Sequence, residues 1–371
     1  MCNFGSMKNE KSSAMMKMKN IYLLLFVLCF AIRLQADPMS NATARTYYEK
    51  GKQYFRAGDY KSAEFQFEYA SFHDDGSVST DSVNMMRSMS IYCKIHKDSG
   101  DVCYDGRRYD EAYVHYSLVA QKNGSDADCR EMMNICYDKW KMVRESHSGM
   151  VRMEPGFFVM GRNDGPDNEK PSHTVHLDSF FIDKYEVSNS QYVVFLNLKG
   201  LYDVESHIRI CVDSPNCHIR YDAVANWYSV EPGYENYPVF GVTWYGANDY
   251  ALWAGMTLPT EAQWEYAFGD SSDGDSNYYH NVRSGTPNSY GIYGMSDNGR
   301  EWVSDSYSGV AYQYSDSRNP EHHEVREYKT VRGGASLDDD FNPKTFRDYE
   351  RPGFGRGSIG FRCVKNIASV K

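Results

Sequence analysis

Residues 237–268 read "YPVFGVTWYGANDYALWAGMTLPTEAQWEYAF" and contain the starts of two helices. Thr260 stands three places before Gln263, which is the spacing of a capping box. In that motif the hydroxyl and the amide each satisfy a backbone N–H of the first turn. A further helix is predicted to begin after Thr243 and to run through "YGANDYALWA". Two short helices separated by irregular chain are therefore expected here.

The same mixture of short elements extends outward from this stretch. A second capping box is formed by Ser188 and Gln191. Three strand-like pieces are predicted to pair into small antiparallel sheets: 156–161, 173–183 and 359–365. Stretches 199–237 and 269–289 lack periodicity, and loops of that length are uncommon unless they are functional or cross-linked. The region from 150 to 371 is predicted to be a loop-rich α+β domain.

The preceding region, 42–146, is predicted to be an all-α domain of repeats. Segments 57–71 and 106–120 align at an offset of 49 residues, pairing Tyr60 with Tyr109, Ala63 with Ala112 and Phe67 with Tyr116. Small residues at a fixed distance from aromatic ones are typical of stacked helix pairs, and the pattern resembles tetratricopeptide repeats. Because their usual period is about 34 residues, an extra helix is expected at 78–97. The domain is either a peptide-binding groove or a helical spacer.

Composition and charge narrow the class of partner. The chain carries a formal net charge of -10, with 41% hydrophobic and 24% charged residues. This balance is typical of a globular protein and disfavours nucleic acid, whose binding depends on clustered Lys and Arg. Partners are expected to be proteins, peptides or glycans.

The N-terminus is predicted to direct export. Residues 1–36 are interpreted as a signal peptide with a spurious early start, because Lys17 and Lys19 precede an apolar run from Ile21 to Ile32. Cleavage is expected after Ala36, which predicts a periplasmic, cell-envelope or secreted protein. The alternative is an uncleaved anchor, which would be the only contact with a membrane.

An exported chain can hold disulfides, and one is predicted here. Cys211 and Cys217 enclose the short polar loop "CVDSPNC", so we expect them to pair. Cys363 follows an apolar strand-like segment and is expected to be a buried thiol.

Four blocks of the second half carry a family resemblance. They read "GFFVMGRNDGPDNEKPSHTVHLDSFFIDKYEVSNSQYVVFLN", the 237–268 stretch, "YGIYGMSDNGREWVSD", and "VRGGAS" with "GSIGFRCVK". In this order they resemble the sulfatase-modifying factor family, whose best-known member is the formylglycine-generating enzyme. The resemblance covers about 150–366 and implies a loop-rich fold similar to C-type lectins.

The resemblance also implies a chemistry that this sequence departs from. Formylglycine generation oxidises a substrate cysteine with oxygen and uses two enzyme cysteines that bind copper(I), for which soft thiolates are the suitable ligands. Counting from the turn at Gly333, those positions fall on Asp338 and Pro343. Since neither residue offers a thiolate, copper is not expected and catalytic residues are not assigned.

A calcium site is the second implication of the resemblance. The matched ligand positions are Gly294, Asp297, Gly299 and Glu301. Calcium prefers six to eight hard oxygens, which carbonyls at glycine turns and a carboxylate can supply. The alternative is a glycine turn in which Glu301 packs beside Trp302 and pairs with an arginine.

The sequence therefore predicts an exported, non-catalytic binding or scaffold protein of this family. The alternative is an active formylglycine-generating enzyme or a related oxidase acting on cysteine substrates of the sulfatase type. By motif position, the cleft that receives a ligand is expected to contain these residues: Trp244, Asp338, Asp339, Phe341 and Arg347.

Overall fold

The computed structural model describes residues 43–145, 149–224, 226–271, 279–334 and 344–367, with side chains 144 and 145 not described. The chain divides into two compact units, one ending at Ile91 and the other beginning at Tyr92. The predicted signal peptide, 1–36, lies outside the described residues. Within the described ranges, no helix combines the length and apolar character needed to cross a membrane.

The region before residue 146 is helical, as predicted. Its helices are α1 (Ala44–Arg56), α2 (Tyr60–Phe72), α3 (Thr80–Asp105), α4 (Tyr109–Lys122) and α5 (Ala127–Glu145). The division between the two units falls inside α3, which overlaps the extra helix expected at 78–97 and extends it to Asp105.

The 49-residue offset corresponds to a repeated packing contact. In the first unit, the backbone at Gly51 lies against the ring of Phe67, where an added Cβ would be 2.7 Å from a ring carbon. In the second unit, Gly100 lies against Tyr116 in the same way, with a separation of 2.8 Å. Both rings are fully buried. A glycine and an aromatic ring thus form the close approach in each helical hairpin.

In the second unit, α4 and α5 share a core with the strand-containing region. Val114 and Leu118 of α4 belong to the same buried cluster as Val193. On α5, Trp140 stacks on Trp253 with ring centroids 4.9 Å apart. The predicted boundary at 146–150 marks the change from helices to strands, but the compact unit containing the strands begins at Tyr92.

The C-terminal region combines short strands and helices. Its strands are β1 (Met150–Met153), β2 (Gly156–Met160), β3 (His173–Leu177), β4 (Phe180–Asp183), β5 (Ile219–Asp222), β6 (Trp227–Val230), β7 (Arg300–Ser306), β8 (Lys329–Gly333), β9 (Arg347–Glu350), β10 (Ile359–Gly360) and β11 (Val364–Asn366). Its α-helices are α6 (Asn189–Lys199), α7 (Trp244–Trp253) and α8 (Glu261–Phe268), and the sheets have the orders β1-β4-β11, β10-β7-β8-β9, β2-β3 and β5-β6.

Both predicted capping boxes are present. At the start of α6, the Ser188 side chain accepts from the Gln191 amide N–H, and the Gln191 side chain accepts from the Ser188 N–H. Thr260 and Gln263 form the same pair of bonds at the start of α8. Thr243 caps α7, as expected, by accepting from the Gly246 N–H. These local signals correctly located three helix starts.

The strand predictions succeed in part. β2 and β3 form the expected antiparallel pair. The continuous strand expected at 359–365 is wrong: Ile359–Gly360 pairs parallel with β7, whereas Val364–Asn366 pairs antiparallel with β4. The break falls where the Arg362 side chain turns inward to bind Glu301. The stretch 199–237, expected to be irregular, also contains the β5–β6 hairpin.

We predict that Gly100→Ala destabilises the protein by about 1–3 kcal/mol, because the new methyl group would overlap the buried Tyr116 ring. Urea unfolding followed by circular dichroism would measure this loss. Gly309→Ala is the matched control, since a Cβ added there would have no atom within 4 Å. Equal stability of the two variants would contradict a tight contact at Gly100.

Candidate functional site

The site matched to the family's oxidase cysteines lies between β8 and β9. Segment 335–343 is outside the described residues, so the structure gives no position for Asp338, Asp339, Phe341 or Pro343. The residues on either side of this segment are described, and they define how its two ends are held.

Two arginines flanking the segment bind the same buried carboxylate. Arg332, at the end of β8, donates from Nη1 to Glu261 Oε1 at 2.8 Å. Arg347, at the start of β9, donates from Nε to Glu261 Oε1 at 2.6 Å and from Nη2 to Oε2 at 2.9 Å. Arg332 also binds Glu265 at 2.7 Å. Arg332 Nη1 also donates to the Tyr312 hydroxyl at 3.1 Å. We call these five residues the Glu261 cluster: Glu261, Glu265, Arg332, Arg347 and Tyr312.

The cluster is buried and has a definite charge state. Burial raises the pKa of Glu261, but the nearby Arg347 and Arg332 guanidinium groups outweigh this effect and lower the pKa to about 2. Burial raises the pKa of Tyr312 well above its ordinary value. At neutral pH, Glu261 is therefore ionised and Tyr312 is a neutral hydrogen-bonding group. The cluster is suited to fixing geometry rather than to exchanging protons.

Further bonds attach the cluster to both ends of the segment. Arg332 Nη2 donates to the carbonyl of Lys344 at 2.5 Å. Thr345 Oγ1 donates to Glu169 Oε2 at 2.7 Å, and Arg347 Nη1 donates to the carbonyl of Asn168 at 2.6 Å. The chain is thus held at Arg332, three residues before the segment, and from Lys344 to Arg347, directly after it.

The two described members of the predicted cleft have structural partners. Arg347 is only 2% exposed, and its guanidinium is bound by Glu261, so it lies in the interior rather than on a cleft wall. Trp244 Nε1 donates to the carbonyl of Val303 at 2.8 Å. The Lys329 ammonium lies 4.0 Å from the Trp244 ring centroid. Trp244 is half-buried, and its place in a ligand cleft stays a prediction.

The residues matched to the calcium site already have partners. Both carboxylate oxygens of Glu301 accept from the Arg362 Nε, at 2.9 and 2.8 Å, and Arg362 Nη2 donates to the carbonyl of Gly294 at 3.1 Å. Asp297 Oδ2 lies 3.0 Å from His280 Nε2. The Glu301 carboxylate and the Gly294 carbonyl thus accept from an internal guanidinium, which matches the alternative in which Glu301 pairs with an arginine. The structure describes Gly299 as buried. Calcium binding itself stays a prediction.

The cysteines do not form the predicted disulfide. Cys211 and Cys217 are both free thiols. Gly241 packs against both residues, because its carbonyl accepts from the Cys211 N–H at 2.8 Å and a Cβ added to it would be 3.2 Å from the Cys217 Cβ. Cys217 Sγ instead faces the carbonyl of Ile219 at 3.9 Å. Cys363 is a fully buried thiol, as expected.

Residues at both ends of segment 335–343 approach the walls of a polar cavity without lining it. Its volume is about 510 Å³, and its lining includes Asp270, His280, Met295 and Asp297. At one end of the segment, a Cβ added to Gly333 would be 3.4 Å from the Met295 carbonyl. At the other end, Lys344 Nζ lies 3.5 Å from the carbonyl of Gly269, the neighbour of Asp270.

A short chain of polar side chains runs along this cavity. His280 Nε2 contacts Asp297 Oδ2 at 3.0 Å, and His280 Nδ1 contacts Ser284 Oγ at 3.0 Å. Ser284 Oγ also donates to the Asn281 carbonyl at 2.6 Å. His280 was not predicted from the sequence as a site residue. The only sequence feature that could have indicated it is its position in the long aperiodic stretch 269–289.

The described elements define an α+β, loop-rich domain of the formylglycine-generating-enzyme type, attached to helices at its N-terminal side. The family described as "Sulfatase-modifying factor enzyme 1-like domain" matches residues 138–281 and 269–367. The chain belongs to this family, which confirms the resemblance found from the motifs.

Two related proteins and one solved structure are similar to about 60% of this chain. A serine/threonine-protein kinase pkn1 of Chlamydia caviae is 34% identical over 238 residues, covering 59% of this chain and 38% of that protein. The chain thus spans well under half the length of that relative. The formylglycine-generating enzyme of Streptomyces coelicolor is 29% identical over 283 residues, covering 60% of this chain and 90% of the enzyme. The structure of PvdO from Pseudomonas aeruginosa aligns with a TM-score of 0.46 and 22% identity, covering 59% of this chain and 94% of that one.

We predict that Glu261→Gln lowers the free energy of unfolding by about 3–5 kcal/mol, because two buried guanidinium groups lose their shared charged partner. Chemical denaturation of the purified variant would measure the change.

The matched control is Glu324→Gln, which removes an exposed carboxylate paired with Arg326. Exposed pairs of this kind contribute about 0–1 kcal/mol, so this variant should unfold almost like the natural protein. A loss of similar size in both variants would show that the Glu261 cluster has no special stabilising role.

Proposed function

We propose that this chain is an exported, non-catalytic member of its family that binds a protein, peptide or glycan. The observation that carries this proposal is that one site lacks the copper-binding cysteines but keeps the buried ion pairs around them. The positions matched to the copper-binding cysteines are Asp338 and Pro343, yet the Glu261 cluster holds both ends of the segment that contains them. The supporting frame is present without the thiolates that the chemistry needs.

The remaining cysteines offer no replacement for the missing pair. Between Cys217 and Cys363 the sequence contains no cysteine. Cys363 is fully buried, and its N–H donates to Asp183 Oδ2 at 3.1 Å. A single buried thiol is normally inert and cannot form a two-thiolate copper(I) site.

The polar cavity lined by Asp270, His280 and Asp297 supports a binding role. Its lining side chains carry hydroxyl, amide, imidazole and carboxylate groups, which suit the hydrogen-bonding groups of a peptide backbone or a sugar. His280 is 30% exposed there and is oriented by Asp297. The N-terminal sequence, with Lys17 and Lys19 before an apolar run, supports export to the cell envelope or beyond.

We predict that the purified protein, reconstituted with copper(I), does not convert the cysteine of a sulfatase-type peptide to an aldehyde. Mass spectrometry of the peptide would detect any conversion. In the double variant Asp338→Cys, Pro343→Cys, competition with a chromogenic chelator should reveal copper(I) binding that the natural chain lacks, because two soft thiolates would be restored. Aldehyde formation by the natural chain would establish the oxidase alternative.

We also predict that His280→Ala weakens ligand binding by about tenfold or more, since a hydrogen-bonding group in the cavity is lost. Peptide and glycan arrays probed with the natural protein would supply the ligand, and surface plasmon resonance would compare the variants. His323→Ala is the control, because its side chain is 77% exposed and pairs only with Glu321 among the described ion pairs. Binding that is unaffected by His280→Ala would place the ligand elsewhere.

A further inference from the structure

A second cavity lies within the unit that begins at Tyr92. Its volume is about 240 Å³, and it lies between the first turn of α4, the inner face of α5 and the connection from β4 to α6. It is lined by Tyr109, Asp110, Trp140, Asp183, Tyr185, Glu186 and a few neighbouring residues. None of these residues belongs to the site matched to the family's oxidase cysteines.

The carboxylate of Asp110 is the unusual feature of this cavity. The residue is only 5% exposed, and its Oδ2 is buried without a hydrogen-bond partner. No ion pair to Asp110 occurs among the described residues, although Arg108 on the same turn binds Glu111 at 2.7 Å. A buried carboxylate oxygen without a hydrogen-bond partner costs free energy, so a donor, best a cationic one, is expected at this position.

A second buried carboxyl group faces the same cavity. Glu186 is 3% exposed, and Asn298 Nδ2 donates to its Oε2 at 2.8 Å. The nearby Arg362 guanidinium is bound by both oxygens of Glu301. Glu186 is therefore also able to accept a bond from an incoming cation.

The walls of the cavity are aromatic. Tyr109, Trp140 and Tyr185 all contribute to its lining, and the faces of such rings attract organic cations. A metal ion is a poorer match, because calcium prefers six to eight oxygen ligands. In the described part of the chain, no group of three or more acidic, histidine or cysteine side chains is arranged to hold a metal.

The positive charges of the cavity lie at its mouth. Arg107 is exposed. Arg283 is 39% exposed, and its Nη1 lies 3.6 Å from Glu111 Oε1. Both guanidinium groups are in contact with water, which screens their repulsion of a cation that enters the cavity. The deep part of the cavity is thus acidic, whereas its rim is basic.

We propose that this cavity binds the ammonium group of a short primary alkylamine, either a free amine or a lysine side chain. The ammonium group lies against Asp110 and Glu186, and the alkyl chain packs on the aromatic walls. A cavity of about 150 Å³ can hold benzene, so the volume here accommodates a four-carbon chain. The site is separate from the proposed binding cavity at His280, and the two can be tested independently.

The test uses the full-length protein and n-butylammonium chloride, with binding followed by saturation-transfer NMR. n-Butanol is the control ligand, because it has nearly the same shape without the charge. Nα-acetyl-lysinamide tests whether a lysine side chain is accepted. We expect saturation of the amine, the lysine derivative or both, and much less saturation of the alcohol. Equal saturation of amine and alcohol would overturn the proposal, as would no binding of either amine.

The decisive variant is Asp110→Asn, which keeps the shape of the side chain and removes its charge. Its affinity for n-butylammonium should fall by about tenfold or more, because the buried charge partner is lost. Asp98→Asn makes the same change on α3 at a side chain that is 67% exposed, and it should bind like the natural protein. Undiminished amine binding by Asp110→Asn would refute the assignment.

Glu186→Gln gives a second measurement if the Asp110 variant fails to fold. Its amide oxygen can still accept from Asn298, so the local structure is preserved while the acidic group is lost. This variant should also bind n-butylammonium more weakly. Displacement of the amine by calcium chloride, but not by sodium chloride at equal ionic strength, would instead show a metal site and overturn the proposal.

Discussion

The bonds from Glu261 to two arginines are the interaction on which the rest of the C-terminal site depends. Glu261 begins α8, whereas Arg332 is the last residue but one of β8 and Arg347 begins β9. One buried carboxylate therefore joins a helix to two neighbouring strands. Charged groups without a partner are very costly in the interior, so each of these residues restricts the positions of the others. Both ends of segment 335–343 are fixed as a result.

The residues that hold the site in place, which we call its frame, differ from the residues at the positions that carry the family's chemistry. The frame consists of buried ion pairs and backbone bonds among the described residues around segment 335–343. The oxidase chemistry of the family depends on two thiolates within that segment, and this sequence has Asp338 and Pro343 there. Changing those two residues need not disturb the buried cluster. Loss of the reaction and retention of the fold are therefore physically compatible.

Another buried arginine, Arg362, also joins distant parts of the chain. Arg362 binds Glu301 and the carbonyl of Gly294, two of the positions matched to calcium, and it interrupts the strand expected at 359–365. Guanidinium groups supply several donors in a fixed plane, so one side chain can join a carboxylate and backbone carbonyls. Asp110 stands in contrast, because it is almost as deeply buried but has no such partner among the described residues.

Features set by neighbouring residues could be predicted well from the sequence. The caps at Ser188, Thr243 and Thr260 depend on bonds that span three residues, so their signals are local. The glycine–aromatic contacts of the helical hairpins follow the 49-residue offset, although the sequence revealed only the aromatic and alanine positions. The β5–β6 hairpin was missed because its strands are only four residues long.

The sequence by itself determined the family, the helix starts and the absence of the copper-binding cysteine pair, because each of these is a matter of residue identity or short spacing. Only the tertiary structure decided which charges meet. Arg347 was predicted to line a cleft, but it binds Glu261, 86 residues away. Arg362 and Glu301 are 61 residues apart. The sequence indicated that Glu301 could pair with an arginine, but it did not identify which one. Such partners are chosen by the packing of distant elements, where burial makes an ion pair strong and an unpaired charge costly.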